Sequence, residues 1–305
     1  MVTRRAFAGG MALGAAALAT LPAAAQAGEQ PPQYPAAPWT GAGTVRRAGG
    51  ELHYVSLGED GAALPVVLLH KLGGWVADWR DVAPALARGR RVIAIDLPGH
   101  GASRWQGTPP QVQTVMETAT LVLGALQDMG LPQVDLVGTS LGGCVAVAMA
   151  ALAPERVRRL ALPCCVLGPA STHEQVAAKE KGQAAMFTAE GDPLPGDPGL
   201  ARDIFGLRDF ERIGAEQNAS RARAGRWIRP HERGVAYTDF VELMRRITAP
   251  TLLLYGGHDT FFLKYRPTAE ANLRDVRSVV LSDASGFPVQ DDPQETALEL
   301  VRFFA

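Results

Sequence analysis

Five short, continuous apolar runs constrain this chain more than anything else in it. They are "PVVLLH" (65–70), "RVIAID" (91–96), "QVDLVGTS" (133–140), "VRRLALPCC" (157–165) and "PTLLLYGG" (250–257). A sixth, "VRSVVLSD" (276–283), half-alternates. Runs that are apolar on both faces suit strands of a parallel sheet covered by helices. Helical stretches are predicted between them, at about 76–88, 111–129, 141–153, 265–274 and 292–304. The second puts Val115, Ala119, Val122 and Leu126 on one stripe at three- and four-residue steps. The last opens with Asp292 as N-cap and Pro293 at the first helical position. Strand and helix alternate, so the class is α/β with a mostly parallel central sheet flanked by helices. Ahead of the alternation, "TVRRAGGELHYVSLGED" reads as a hairpin turning at Gly49-Gly50.

Residues 166–248 break the alternation. They lie between two predicted strands and hold helical patches and a Gly/Pro loop, "EGDPLPGDPG". An insertion this long is a functional lid or small subdomain more often than a mere connection. The predicted organisation is a core over 43–165 and 249–305, with a helical cap over 166–248.

The N-terminus reads as a targeting segment. Arg4 and Arg5 precede an Ala-rich apolar run ending in Ala25-Gln26-Ala27, a small-x-small cleavage pattern. "TRRAF" resembles the twin-arginine export signal. The expectation is a signal peptide over 1–27, a Pro-rich leader over 28–42, and a periplasmic or secreted mature protein. The apolar run is short for a membrane span, so no stable membrane insertion is expected after its removal. Cleavage takes two of the 30 basic residues and none of the 31 acidic ones. The mature chain is therefore slightly acidic, with no basic stripe, which disfavours nucleic acid as a partner. Cys144, Cys164 and Cys165 are an odd number for a disulfide framework, and all lie in apolar runs. Buried thiols are the expectation, with a bridge from Cys144 to one of the other two as the alternative.

The chemistry centres on Gly138-Thr139-Ser140-Leu141-Gly142, a G-x-S-x-G pattern between a strand and an Ala-rich helix. In that context the glycines permit a sharp turn that lifts a serine hydroxyl above the sheet. The helix start behind it favours negative charge, and the Leu141 N–H can donate to an oxyanion.

At this point the chain, from about residue 43 onward, resembles the α/β-hydrolase-fold superfamily. "VVLLHKLGGWVADWRDVAPALA" is similar to its His-Gly-x-x-Gly oxyanion segment. "VIAIDLPGHGAS" is similar to its Asp-x-Pro-Gly-His-Gly-x-Ser turn, and "APTLLLYGGHD" to the strand that ends at the triad acid. The resemblance implies Ser140 as nucleophile, Asp259 as acid and the Leu72 N–H as second oxyanion donor. It also implies a cap where 166–248 falls.

Two positions depart from the family. Lys71 stands at a glycine of the oxyanion segment, where it could hold an anionic substrate, distort the hole or simply face solvent. The histidine expected after the last strand is missing: "SGFPVQDDP" has Gly286, by substitution or by loss of one residue before Phe287. No histidine follows His258. His53, His70 and His100 match no catalytic position. His173 and His231 lie in the cap, and His258 adjoins Asp259, so His258 and His231 are the candidate substitute bases.

The missing base decides between functions. Losing a triad histidine costs on the order of a million-fold in turnover. Oxyanion hole and binding alone leave about 10³–10⁴ over water. Three readings follow. One is an exported serine hydrolase acting on a small ester, lactone or related molecule with an unconventional or impaired base. Another is an inactive hydrolase-fold protein that binds a small ligand. The third is a lyase or cofactor-free oxygenase on the same fold. No metal-ligand spacing or nucleotide loop appears, so no metal or cofactor is expected, and nothing in the sequence sets substrate or oligomeric state. Phe205, Trp227 and Tyr237 suit either an apolar pocket or core packing.

Overall fold

In the computed structural model, which describes residues 38–305, nine strands form one sheet. The predicted signal peptide and most of the leader lie outside the described residues. The strands are β1 (Gly41–Arg47), β2 (Gly50–Leu57), β3 (Val66–Leu69), β4 (Val92–Ile95), β5 (Arg104–Trp105), β6 (Val134–Gly138), β7 (Val157–Pro163), β8 (Thr251–Gly256) and β9 (Val276–Leu281). Their order is β1-β2-β4-β3-β6-β7-β8-β9, with β5 paired to β2. The hairpin β1-β2 is antiparallel, β2 pairs antiparallel with β4 and β5, and the run β4-β3-β6-β7-β8-β9 is parallel. Strands β3, β4, β6 and β8 are buried at every residue, as runs apolar on both faces require.

Helices cover both faces. They are α1 (Ala83–Leu86), α2 (Val115–Asp128), α3 (Leu141–Leu152), α4 (His173–Gly182), α5 (Pro198–Phe205), α6 (Phe210–Ala224), α7 (Ile228–Ala236), α8 (Phe240–Met244), α9 (Arg266–Asn272), α10 (Pro288–Asp291) and α11 (Pro293–Phe304). One core layer packs α2, α3, α8 and α9 on the sheet; the other packs α1 and α11. Helix α3 is buried along nearly its whole length, which its Ala- and Val-rich sequence permits.

The chain leaves β3 for β4 on one side, then returns to β3's other side as β6. The crevice beyond the carboxyl ends of β3 and β6 is thus the switch point of the sheet, where open α/β folds take ligands. Between β7 and β8 run helices α4 to α8, in the segment predicted to be a cap. The only pairing there among the described residues is an isolated bridge, Phe187 to Pro193.

The helix expected over 76–88 is broken. A 3₁₀ turn, Val76–Trp79, is followed by the separate short α1. Pro84 lacks the N–H that a continuous helix would use, and its ring collides with the carbonyl four residues back. Asp96 Oδ1 meanwhile takes the Val76 N–H at 2.8 Å and fixes the start of the turn.

Candidate active site

Ser140 joins β6 to α3 with φ 50° and ψ −114°, a region non-glycine residues avoid. The strain is held from both sides. Thr139 N–H donates to Leu69 O (3.1 Å), Ser140 N–H to Pro163 O (3.3 Å) and Gly142 N–H to His70 O (3.0 Å). A Cβ at Gly138 would overlap the Gly142 carbonyl, and one at Gly142 would overlap that of Leu69. Glycine is therefore required by close approach at both positions. Thr139 and Leu141 are buried, whereas Ser140 is half-exposed. Among the described residues no hydrogen-bond acceptor engages the N–H of Leu72 or Leu141. Two unsatisfied donors beside a raised hydroxyl suit a developing oxyanion.

Three buried imidazoles brace the loops after β3 and β4. His70 donates from Nδ1 to Lys71 O (2.7 Å) and accepts from Leu97 N–H (2.9 Å). His100 donates to Pro98 O (3.0 Å) and accepts from Gly73 N–H (3.1 Å). His231 of α7 donates to the same Pro98 O at 2.9 Å. Their rings succeed one another at 5.1 and 5.0 Å between centroids. Burial lowers all three pKa values, His231 to about 4, so each is neutral at pH 7. Each is spent on loop or cap geometry.

Lys71 is buried, not solvent-facing. Its Nζ lies 3.4 Å from Oδ2 of Asp78, itself only 4% exposed. Gln290 Nε2 reaches the other Asp78 oxygen at 3.3 Å, and Gln217 of α6 donates to Gln290 Oε1 at 3.3 Å. The lysine charge is thus answered within the protein. Sequence reading missed Asp78 and Gln290 because nothing local marks a partner seven residues on, or one from the far end of the chain.

Asp259 follows β8 and is 2% exposed. Its carboxylate accepts the N–H groups of Phe261, Phe262 and Leu263 at 2.9–3.1 Å. Burial raises its pKa, and those N–H groups oppose the rise. A Cβ on Gly286 would lie 3.1 Å from Asp259 Oδ1, the direction from which an imidazole would meet the acid. It would also lie 3.2 Å from Phe205 Cδ1 and 3.3 Å from Phe262 Cδ2. Phe205 closes α5 in the cap, its carbonyl accepts the Gly286 N–H at 2.7 Å, and its ring packs against Phe261, Phe262 and Phe287. A cap phenylalanine therefore crowds the side of Asp259 that Gly286 faces.

The substitute bases are placed elsewhere. His258 turns its ring to Arg208 of the cap, and His231 is occupied with Pro98. His53 pairs with Asp96 at 2.8 Å, and His173 packs on Tyr237. Among the described residues no histidine is hydrogen-bonded to Ser140. Trp227 packs on Gly99 and His231. The three cysteines are free and buried, and burial pushes the Cys144 thiol up to about 12, so none is a ready thiolate. A cavity of about 260 Å³ lies where the end of β7 meets the cap, lined by Val166, Ser171, Val235, Phe240 and Tyr265 among others. Val166 O accepts the Cys144 thiol (3.5 Å) one helical turn from Ser140.

Comparison with known proteins fits this geometry. A family model described as the α/β hydrolase fold matches residues 65–193. An esterase of Mycobacterium tuberculosis is 30% identical over 260 residues, 79% of this chain and 83% of that protein. The chain belongs to the α/β hydrolase family. A 2-hydroxymuconate semialdehyde hydrolase of a Pseudomonas species is 43% identical over 111 residues, 35% of this chain and 38% of the other. Among solved structures, a hydrolase from Pseudomonas aeruginosa superposes with TM-score 0.73 at 25% identity, covering 87% of this chain and 99% of its own. The enol-lactonase of Burkholderia xenovorans gives 0.70 at 25% identity, covering 86% and 99%. These relatives are esterases and hydrolases, which supports a hydrolase function here.

Proposed function

We propose that this chain is an exported hydrolase that attacks a small ester, lactone or related substrate through Ser140, working without a histidine base. The observation that carries the reading is the strained Ser140 turn beside two unengaged N–H donors. The Ser140 oxygen adds to the substrate carbonyl, and the carbonyl oxygen, now negative, takes the N–H groups of Leu72 and Leu141. The serine proton passes to water or hydroxide, because no imidazole is placed to receive it. The adduct then collapses: the ester C–O bond breaks, the leaving oxygen takes a proton from water, and Ser140 keeps the acyl group. Water or hydroxide adds to that acyl carbonyl, the acid departs, and the serine oxygen recovers its proton from water. The names of the esterase and enol-lactonase relatives agree with this substrate class.

Without a base, acylation should be slow and should rise with hydroxide concentration, with no inflection between pH 6 and 8. Rates on activated esters should stay within about 10³–10⁴ over water. The experiment is fluorophosphonate labelling and an activated-ester panel on the native protein beside Ser140→Ala. Slow labelling that Ser140→Ala abolishes supports the reading. The crowding of Phe205 against Gly286 favours a second one, a ligand-binding protein on a retired hydrolase site. Absence of both labelling and turnover would select it.

Export belongs to the same reading. Mature protein should begin near Gly28, and replacing Arg4 and Arg5 by lysine should retain it in the cytoplasm. Cell fractionation that finds the double variant still exported would sink the twin-arginine route.

A further inference from the structure

Lys71 opens the turn that carries Leu72. Gly142 N–H holds His70 O at 3.0 Å, so this turn begins against the Ser140 turn. It runs from Lys71 to Gly74 and closes with Gly74 N–H on Lys71 O at 2.9 Å. Gly73 takes φ 67°, as the third residue of a type II turn must. Lys71 O also accepts from His70 Nδ1 at 2.7 Å. The peptide between Lys71 and Leu72 is trans, so its N–H points opposite to its carbonyl. The two donors on Lys71 O therefore hold the Leu72 N–H facing away from them, clear of the bonds that close the turn.

The Lys71 side chain fastens the same peptide from outside. Its Nζ lies 3.4 Å from Asp78 Oδ2, with only 9% and 2% of the two side chains exposed. A Cβ on Gly74 would overlap Asp78 Oδ2 and crowd Lys71 Cγ, so the ion pair closes over the last residue of the turn. Asp78 is itself held. It belongs to the 3₁₀ turn Val76–Trp79, whose first N–H is fixed by Asp96, and its Oδ1 takes Gln290 Nε2 at 3.3 Å. A glycine at position 71 would have no such tie and far more backbone freedom. Stability alone is weak grounds for a buried ion pair, since uncharged groups of similar volume often serve as well. We infer that Lys71 is a positioning residue: its ion pair with Asp78 locks the Lys71–Leu72 peptide so that the Leu72 N–H stays aimed at the substrate oxyanion. The inference rests on reading the Ser140 crevice as the ester site.

The test uses Lys71→Met combined with Asp78→Asn, which removes both charges, keeps both shapes and leaves Gln290 an acceptor. Its melting temperature should stay within ~3 °C of native. Amide hydrogen exchange read by NMR should speed up at least ~10-fold at Gly73 and Gly74 and not at Leu68 or Val137 in the sheet. Ser140 acylation is then compared on 4-nitrophenyl acetate and its thiono counterpart, whose sulfur accepts hydrogen bonds poorly, with Ser140→Ala as the blank. The variant should lose at least ~10-fold in acylation rate on the oxygen ester, with KM little changed, and its oxygen-to-sulfur rate ratio should shrink. A merely structural pair would lower the melting temperature and leave that ratio alone. If the double variant does not fold, Asp78→Asn alone carries the same readouts. Native exchange at Gly73 and Gly74, or a native rate ratio, overturns the proposal. An unreactive Ser140 in the native protein sinks the ester reading and the inference with it, whereas a reactive one whose ratio the variant leaves unmoved sinks the inference alone.

Discussion

At residue 286 one missing side chain sets the chemistry. Sequence alone leaves two histories, substitution or deletion, and the backbone favours substitution: the Cβ direction of Gly286 already faces Asp259. The same geometry says why restoring the histidine is not enough. An imidazole there meets Phe205, anchored by its carbonyl on the Gly286 N–H and packed on three other phenylalanines. Gly286→His alone should therefore gain little on an activated ester. Gly286→His with Phe205→Ala should gain at least ~100-fold, the low end for a positioned general base. Steady-state rates of both variants check this. Equal rates for the single and double variants would show that Phe205 does not obstruct the site. Ser140, Asp259, Leu72 and Gly286 each sit in a local sequence motif, which is why the sequence alone singles them out. Phe205 and Asp78 were not: Phe205 reaches Gly286 from the distant helix α5, and nothing local marks Asp78 as the partner of Lys71.

Among the elements, legibility followed burial and length. The fully buried strands β3, β4, β6 and β8 fall within one or two residues of the apolar runs that announced them. Strand β5 has only two residues and no pattern of its own; it exists because β2 has an edge to pair. Helices α2, α3, α9 and α11 came out close to their predicted spans, and Asp292 and Pro293 stand at the N-cap and first position of α11 as read. The cap is the instructive part. Helix α4 carries a capping box, Thr172 with Gln175, inside a patch read as helical. Helix α5 starts inside the segment that reads as a Gly/Pro loop, where Asp197 caps it and Pro198 opens it. That Asp-Pro pair was a usable start signal, masked by the prolines and glycines before it. The omission mattered, because α5 is the element that delivers Phe205 to Gly286.

Across the whole molecule, the cost of bracing the site with neutral histidines appears in acid stability. His70, His100 and His231 are all at most 1% exposed, and burial lowers each pKa in the folded state. Unfolded, each titrates near 6.5. Below that value the unfolded chain binds protons that the folded one refuses. Stability is therefore complete above about pH 6.5 and lost as pH falls toward the folded pKa values. For His231, lowered to about 4, the loss at pH 5 is roughly 2 kcal/mol. Asp78, Asp259 and Asp291 act with the opposite sign, since burial raises their pKa values, in a window that opens near their ordinary 3.8. Between pH 6.5 and 5 the histidine contribution lowers the melting temperature as pH falls, and the aspartate contribution, which runs upward from 3.8 to the raised folded values, opposes it. His231→Gln isolates one contribution, because the amide can still donate to Pro98 O without acquiring a proton in acid. Its baseline stability drops with the lost ring packing, but its decline between pH 7.5 and 5 should be shallower than that of the native protein. Thermal melts at matched ionic strength read the difference. Parallel curves for the two proteins would mean that His231 is charged or solvated in the folded state, contrary to its packing against His100 and Trp227.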